Sequence, residues 1–141
     1  MRNPITHRVS EWIAKTSFED LPPEVRRQAR RALQDAIACA IGGQRTPIVQ
    51  SVVRALQKQG LGASGTLLIG NSTRMPEALA AFVNAVAINA LDFDDTFEIG
   101  SNPLGHPGST TIGAAMAVGN GWSGRELLCA VALGLELSIR V

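Results

Sequence analysis

Long stretches of this chain repeat apolar residues at helical spacing, and that periodicity limits the fold more than any other feature. Val25, Ala29, Ala32, Leu33, Ala36, Ile37, Ala40 and Ile41 recur three and four residues apart, the pattern of one amphipathic helix. Leu79, Phe82, Val83, Val86, Ala87 and Ala90 repeat in the same way, as do Leu127, Leu128, Val131, Ala132, Leu135 and Ile139. Stripes of this kind must be buried against one another. The expectation is an all-α helical bundle of about six helices.

Local signals place the helix ends. Val9, Trp12 and Ile13 mark a short first helix starting near Thr6, too short to hold alone, so it must dock on something larger. Pro22-Pro23 opens the second helix, and Gly42-Gly43 is expected to stop it with a left-handed cap. Thr46-Pro47 reads as an N-cap with proline at the first helical position, opening a third helix through Leu56. Gly60, Gly62 and Gly65 form a loop. Thr66-Leu-Leu-Ile69 is then either an edge strand or an extended connection. The fourth helix begins near Pro76, and Ser109 or Thr110 is expected to cap a fifth over Ile112–Val118. Ser123-Gly-Arg-Glu126 is a capping box that opens the sixth. That last stripe runs to Arg140-Val141 without a stop signal, so the sixth helix either frays or belongs to a longer chain.

Size and charge remove several function classes. The 141 residues suit one domain, 1–141, with one core. Thirteen Lys+Arg against twelve Asp+Glu give a net charge of +1, and aromatics are 4%, so neither an electrostatic footprint nor a stacking platform for nucleic acid is present. Arg26, Arg27, Arg30 and Arg31 read as one solvated helix face. Cys39 and Cys129 fall inside apolar stripes and read as small buried hydrophobes. No run approaches the ~18 apolar residues of a membrane span, and the first residues lack a secretory apolar stretch. The expected setting is cytoplasmic.

Chemistry concentrates between Asn89 and Ser109. Asp92, Asp94 and Asp95 follow the fourth helix, at its negative end, where carboxylates are disfavoured. If the helix persists one more turn, Asp92, Asp95 and Thr96 share a face and Asp94 points elsewhere. His106, at the positive end of the fifth helix, is placed to accept a proton near neutral pH. The backbone N–H groups of Gly108, Ser109 and Thr110 offer a carboxylate site. Anion site, imidazole, Asp and Thr together suit proton removal beside a carboxylate. A solvated acidic helix end with an ordinary loop histidine is the plainer alternative. A third reading makes Asp92, Asp94, Asp95 and His106 an oxygen-rich Mg²⁺ or Mn²⁺ site. No G-x-S-x-G element, dinucleotide fingerprint or phosphate loop is present.

The series Phe18-Glu-Asp-Leu-Pro-Pro-Glu-Val25, Leu33-Gln-Asp-Ala-Ile-Ala-Cys-Ala-Ile-Gly-Gly43, Ala90-Leu-Asp-Phe-Asp-Asp-Thr96, His106-Pro-Gly108 and Gly121-Trp-Ser-Gly-Arg-Glu-Leu-Leu128 resembles the MmgE/PrpD family, also called the 2-methylcitrate dehydratase family. The resemblance implies the N-terminal part of a large helical domain, with a smaller lid domain lying outside this chain, and usually a homodimer. It implies cofactor-free, metal-independent lyase or epimerase chemistry beside the carboxylates of small polycarboxylic acids: dehydration, decarboxylation or epimerisation. Asp92, Thr96 and His106 match its active-site positions, with Asp92 and Thr96 positioning substrate and His106 binding it or moving a proton. Asp95, Gly108 and Ser109 are the accompanying substrate-binding candidates. Asn89 stands where many members have His, and an amide cannot titrate there. Members are several times longer, and further pocket side chains come from segments beyond these residues. A non-catalytic helical module, acting by self-association or partner binding, is the alternative.

Overall fold

The computed structural model describes residues 4–140, so the readings of Met1–Asn3 and Val141 lie outside the described residues. Six α-helices carry the fold: α1 (Ile5–Lys15), α2 (Pro23–Gly43), α3 (Pro47–Lys58), α4 (Glu77–Asn89), α5 (Pro107–Val118) and α6 (Gly124–Arg140). Two antiparallel strand pairs are added, β1 (Thr66–Leu67) with β2 (Arg74–Met75) and β3 (Phe97–Ile99) with β4 (Asn102–Gly105). The all-α expectation holds, and Thr66 does begin a short strand. No described helix is long and apolar enough to cross a membrane.

The stripes meet as their spacing requires. α4 and α5 form the most extensive pair, and α2 packs on α4 and α6. Met75, Val83, Ala87, Ile88, Ile112 and Val131 are fully buried between them. α5 can lie close to α4 because it is built of small residues; a side chain at Gly113 would press on the Ala85 backbone. Two buried amides tie the β1–β2 loop to this core. Asn84 Oδ1 accepts the Ile69 N–H at 3.0 Å, and Gln44 Nε2 donates to the Ile69 carbonyl at 2.8 Å. Each satisfies a backbone group that burial would otherwise leave unpaired.

Several boundaries differ from the sequence reading. Gly42 and Gly43 lie inside α2 rather than capping it, and Gln44 follows in a right-handed conformation. Gly43 has a packing reason instead: a Cβ there would overlap the Ala87 carbonyl of α4. Thr46 makes no side-chain cap for α3, because its hydroxyl donates to the Gly43 carbonyl at 2.7 Å. α1 buries none of its residues, and Trp12 and Ile13 remain partly exposed; α2 to α6 close the core without it. The capping box at α6 forms as written, with Glu126 accepting the Ser123 N–H at 2.7 Å and Ser123 Oγ accepting the Glu126 N–H at 3.3 Å.

Candidate active site

The segment between α4 and α5 is a β-hairpin rather than an open loop. β3 and β4 pair Ile99 with Asn102 and Phe97 with Gly105, with an irregularity after Phe97, and Gly100 adopts φ +66° at the turn. A two-residue turn with a left-handed residue matches the natural twist of a hairpin. The reversal returns the chain on itself, so residues on either side of the hairpin meet. It carries His106 back to the acidic cluster.

The cluster itself is not helical. α4 ends at Asn89, and Asp92 takes φ +55°, a left-handed turn that Asp tolerates better than most residues. The predicted shared face of Asp92, Asp95 and Thr96 therefore does not exist, and the three carboxylates go to three environments. Asp92 has its side chain 83% exposed, whereas that of Asp94 is 1% exposed. Asp95 is half-buried, and both its oxygens accept the Gly108 N–H, at 3.0 and 3.1 Å.

His106 is the N-cap of α5, followed by Pro107 at the first helical position. The Ser109 hydroxyl donates to the His106 carbonyl at 2.8 Å, which holds the backbone of this first turn. The imidazole lies between two carboxylates. Its Nδ1 is 3.4 Å from Asp94 Oδ1 and its Nε2 is 3.6 Å from Asp92 Oδ1. Asn89 Nδ2 reaches Asp94 from the other side, at 3.1 and 3.4 Å from its two oxygens. Asn89, Asp94, His106 and Asp92 thus form one polar chain in which Asp94 is the buried member and both ends, Asn89 and Asp92, are exposed.

The remaining candidates serve the loop itself. The carboxylate site expected at the start of α5 is taken, at Gly108, by the chain's own Asp95. A side chain at Gly108 would overlap that carboxylate, so glycine is what lets Asp95 reach the helix end. Burial pushes the Asp95 carboxyl above its ordinary value, with Asp94 adding to it, against the lowering effect of the Gly108 N–H. Thr96 is exposed and makes no side-chain hydrogen bond among the described residues. Asp92, Asp94 and His106 each place one ligand atom within 4.8 Å of the others, so these three, without Asp95, are the set that could hold a cation.

Two features were not read from the sequence. One is the Asn89–Asp94 pairing; the available signal was Asp92, a residue tolerant of a left-handed turn just past the last apolar residue of the α4 stripe. The other is Arg140. A groove of about 430 Å³ beside α5 is bordered by His106, Thr110, Ser138 and Arg140, whose guanidinium pairs with Glu136. The larger groove, about 800 Å³, lies between α2 and α6; it shares Ile139 with the first but is not lined by His106. Cys39 and Cys129 are buried free thiols, and burial raises both above the ordinary thiol range, with nearby carboxylates adding to it.

An imidazole at the start of α5 and two carboxylates of the preceding loop thus meet on an α-helical scaffold. The chain belongs to the MmgE/PrpD family: residues 7–141 match its MmgE/PrpD N-terminal domain. It is similar to cis-aconitate decarboxylase of Mus musculus, at 27% identity over 143 residues covering 100% of this chain and 29% of that protein. The Homo sapiens cis-aconitate decarboxylase is 28% identical, over 100% of this chain and 30% of its own. That of Aspergillus terreus is 28% identical over 145 residues, with 97% and 29% covered. The chain spans about three-tenths of the length of these curated relatives.

Proposed function

We propose that this chain supplies the helical part of a site for proton transfer beside a carboxylate of a small polycarboxylic acid, in a 2-methylcitrate dehydratase-like or cis-aconitate decarboxylase-like enzyme. The observation that carries the reading is His106 at the start of α5, its ring nitrogens facing the carboxylates of Asp94 and Asp92. The names of the similar proteins support the substrate class. In this reading His106 takes or returns the proton at carbon. Asp92, exposed beside Nε2, accepts a hydrogen bond from a substrate hydroxyl or from the imidazole once it is protonated. Thr96 offers a further hydroxyl on the same loop. Loss of hydroxide, loss of CO₂ or return of the proton to the other face would give dehydration, decarboxylation or epimerisation. The chemistry needs no cofactor in this proposal. Arg140 at the edge of the groove beside His106 favours an anionic ligand there.

A thermal-shift titration of the 141-residue chain with citrate, 2-methylcitrate and cis-aconitate, beside His106→Ala, tests this. A ligand at 100 times its Kd stabilises by about 2.7 kcal/mol, a rise of roughly 5–11 °C for a chain of this size. The expected result is a rise in the parent that is lost in the variant. A cooperative melt that none of the three ligands moves would overturn the proposal.

One observation favours a second reading, a helical module that works by self-association. The α2–α6 groove has an apolar floor and walls of Val25, Ala29, Ala32, Ala132, Leu135 and Ile139, rimmed by Glu24, Gln28, Arg31, Asp35 and Glu136, and apolar surface of this sort can pair subunits. A homo-oligomer is compatible with either reading.

A further inference from the structure

The His106 imidazole has two carboxylates in reach and, when neutral, only one N–H to offer. The two are not equivalent. Asp92 is solvated, with its side chain 83% exposed, so water already satisfies its oxygens. Asp94 is 1% exposed, and Asn89 Nδ2 is its one side-chain hydrogen-bond donor among the described residues. A carboxylate has about four lone-pair positions, and a buried charge left short of partners is costly. The ring shows the matching need. Nδ1 is buried without a hydrogen-bond partner; as a bare lone pair it would be an unsatisfied buried acceptor, whereas as an N–H it lies 3.4 Å from Asp94 Oδ1, close enough for a small ring rotation to complete the bond. Both demands are met by one arrangement.

We propose that Asp94 is a positioning residue, which holds the His106 ring in a single orientation as the tautomer protonated on Nδ1, leaving the Nε2 lone pair on the side of exposed Asp92. Asn89 Nδ2 donates to the Asp94 carboxylate and helps to hold it in place. Because an amide neither gains nor loses a proton near neutrality, it braces the pair without competing for the imidazole's proton. Asp94 acts through His106 and does not touch substrate. The proposal rests on the reading of His106 as the group that carries the proton, and it explains why a buried carboxylate is kept beside it.

The protein contains two histidines, and exposed His7 is an internal reference. Long-range ¹H–¹⁵N correlation spectra of the labelled chain, recorded about two pH units above the ordinary imidazole value of ~6.5, read the tautomer directly. The expected result is a proton fixed on Nδ1 of His106, with His7 showing the averaged pattern of a free ring. An averaged His106, or one protonated on Nε2, would sink the proposal. Asp94→Ala should return His106 to the His7 pattern. Asn89→Ala, which disturbs the same loop but keeps the carboxylate, should leave the Nδ1 proton in place; equal disruption by both variants would mean a structural role only. If the alanine at 94 does not fold, Asp94→Asn serves, with a several-fold fall in the Nδ1–H population expected and no change counting against the idea. No substrate enters these measurements. A failed polycarboxylate titration with the Nδ1 pattern intact therefore removes the function alone, and the converse removes the positioning alone.

Discussion

Asp95 shows how three neighbouring acids come to differ. It reaches the N-terminus of α5, where the Gly108 N–H and the helix dipole favour its charge, yet burial outweighs them and its carboxyl titrates above the ordinary range. An acid that holds its proton more tightly in the folded state stabilises the fold most below the ordinary carboxylate range. That contribution is lost as pH rises through the raised folded value. Asp95→Asn keeps an oxygen for Gly108 but cannot ionise. Urea melts at a series of pH values should therefore show the variant gaining on the parent across that window, with a constant difference above it. A difference that shrinks with rising pH would mean that the Gly108 hydrogen bond, not burial, dominates. The residue type at 95 was plain in the sequence. Its partner was not, because the contact spans thirteen residues and depends on the hairpin between them.

Among the elements, glycine separates packing from capping. Gly43 lies at the end of α2 against the Ala87 carbonyl, where an added methyl meets backbone that cannot move aside. Gly124 opens α6 with nothing within 4 Å of a built Cβ. Gly43→Ala should lower the unfolding free energy by about 1–3 kcal/mol, the usual cost of overpacking. Gly124→Ala should be neutral or stabilising by up to about 1 kcal/mol, through the unfolded chain. Chemical denaturation of the two variants side by side checks both. The Gly42-Gly43 pair was visible as a helix end, and α2 does end there. That its second glycine is spaced for α4 rather than for a left-handed turn depends on a neighbour 44 positions away in sequence, which local pattern does not encode.

For the whole molecule, the open question is what covers the strip between α2 and α6. Val25 and Ile139 on its walls are 38% and 40% exposed, and Leu135 lies beside them. If this face pairs with a second copy, sedimentation velocity at micromolar concentrations should show a species heavier than the monomer. Val25→Glu with Ile139→Glu should then return it to the monomer with little change in melting temperature, since both positions are already partly in water. A monomer throughout would exclude self-association through this face.

The sequence by itself determined the helices, because the 3.6-residue apolar period and the cap and proline signals are local properties of the chain. It also determined the family, through motifs that keep their order along nearly the whole chain. It drew attention to the stretch from Asn89 to Ser109 by its acids and its histidine, and the family resemblance singled out Asp92, Thr96 and His106 within it. Only the tertiary structure decided where each of them sits. Asp92 turns left-handed past the end of α4, the β3–β4 hairpin folds the chain back, and α5 presents its N-terminus. Burial then falls on Asp94, the helix end goes to Asp95, and Asp92 is left in water. Those assignments rest on contacts between segments distant in the chain, where the cost of an unpaired buried charge, rather than any local preference, selects the arrangement.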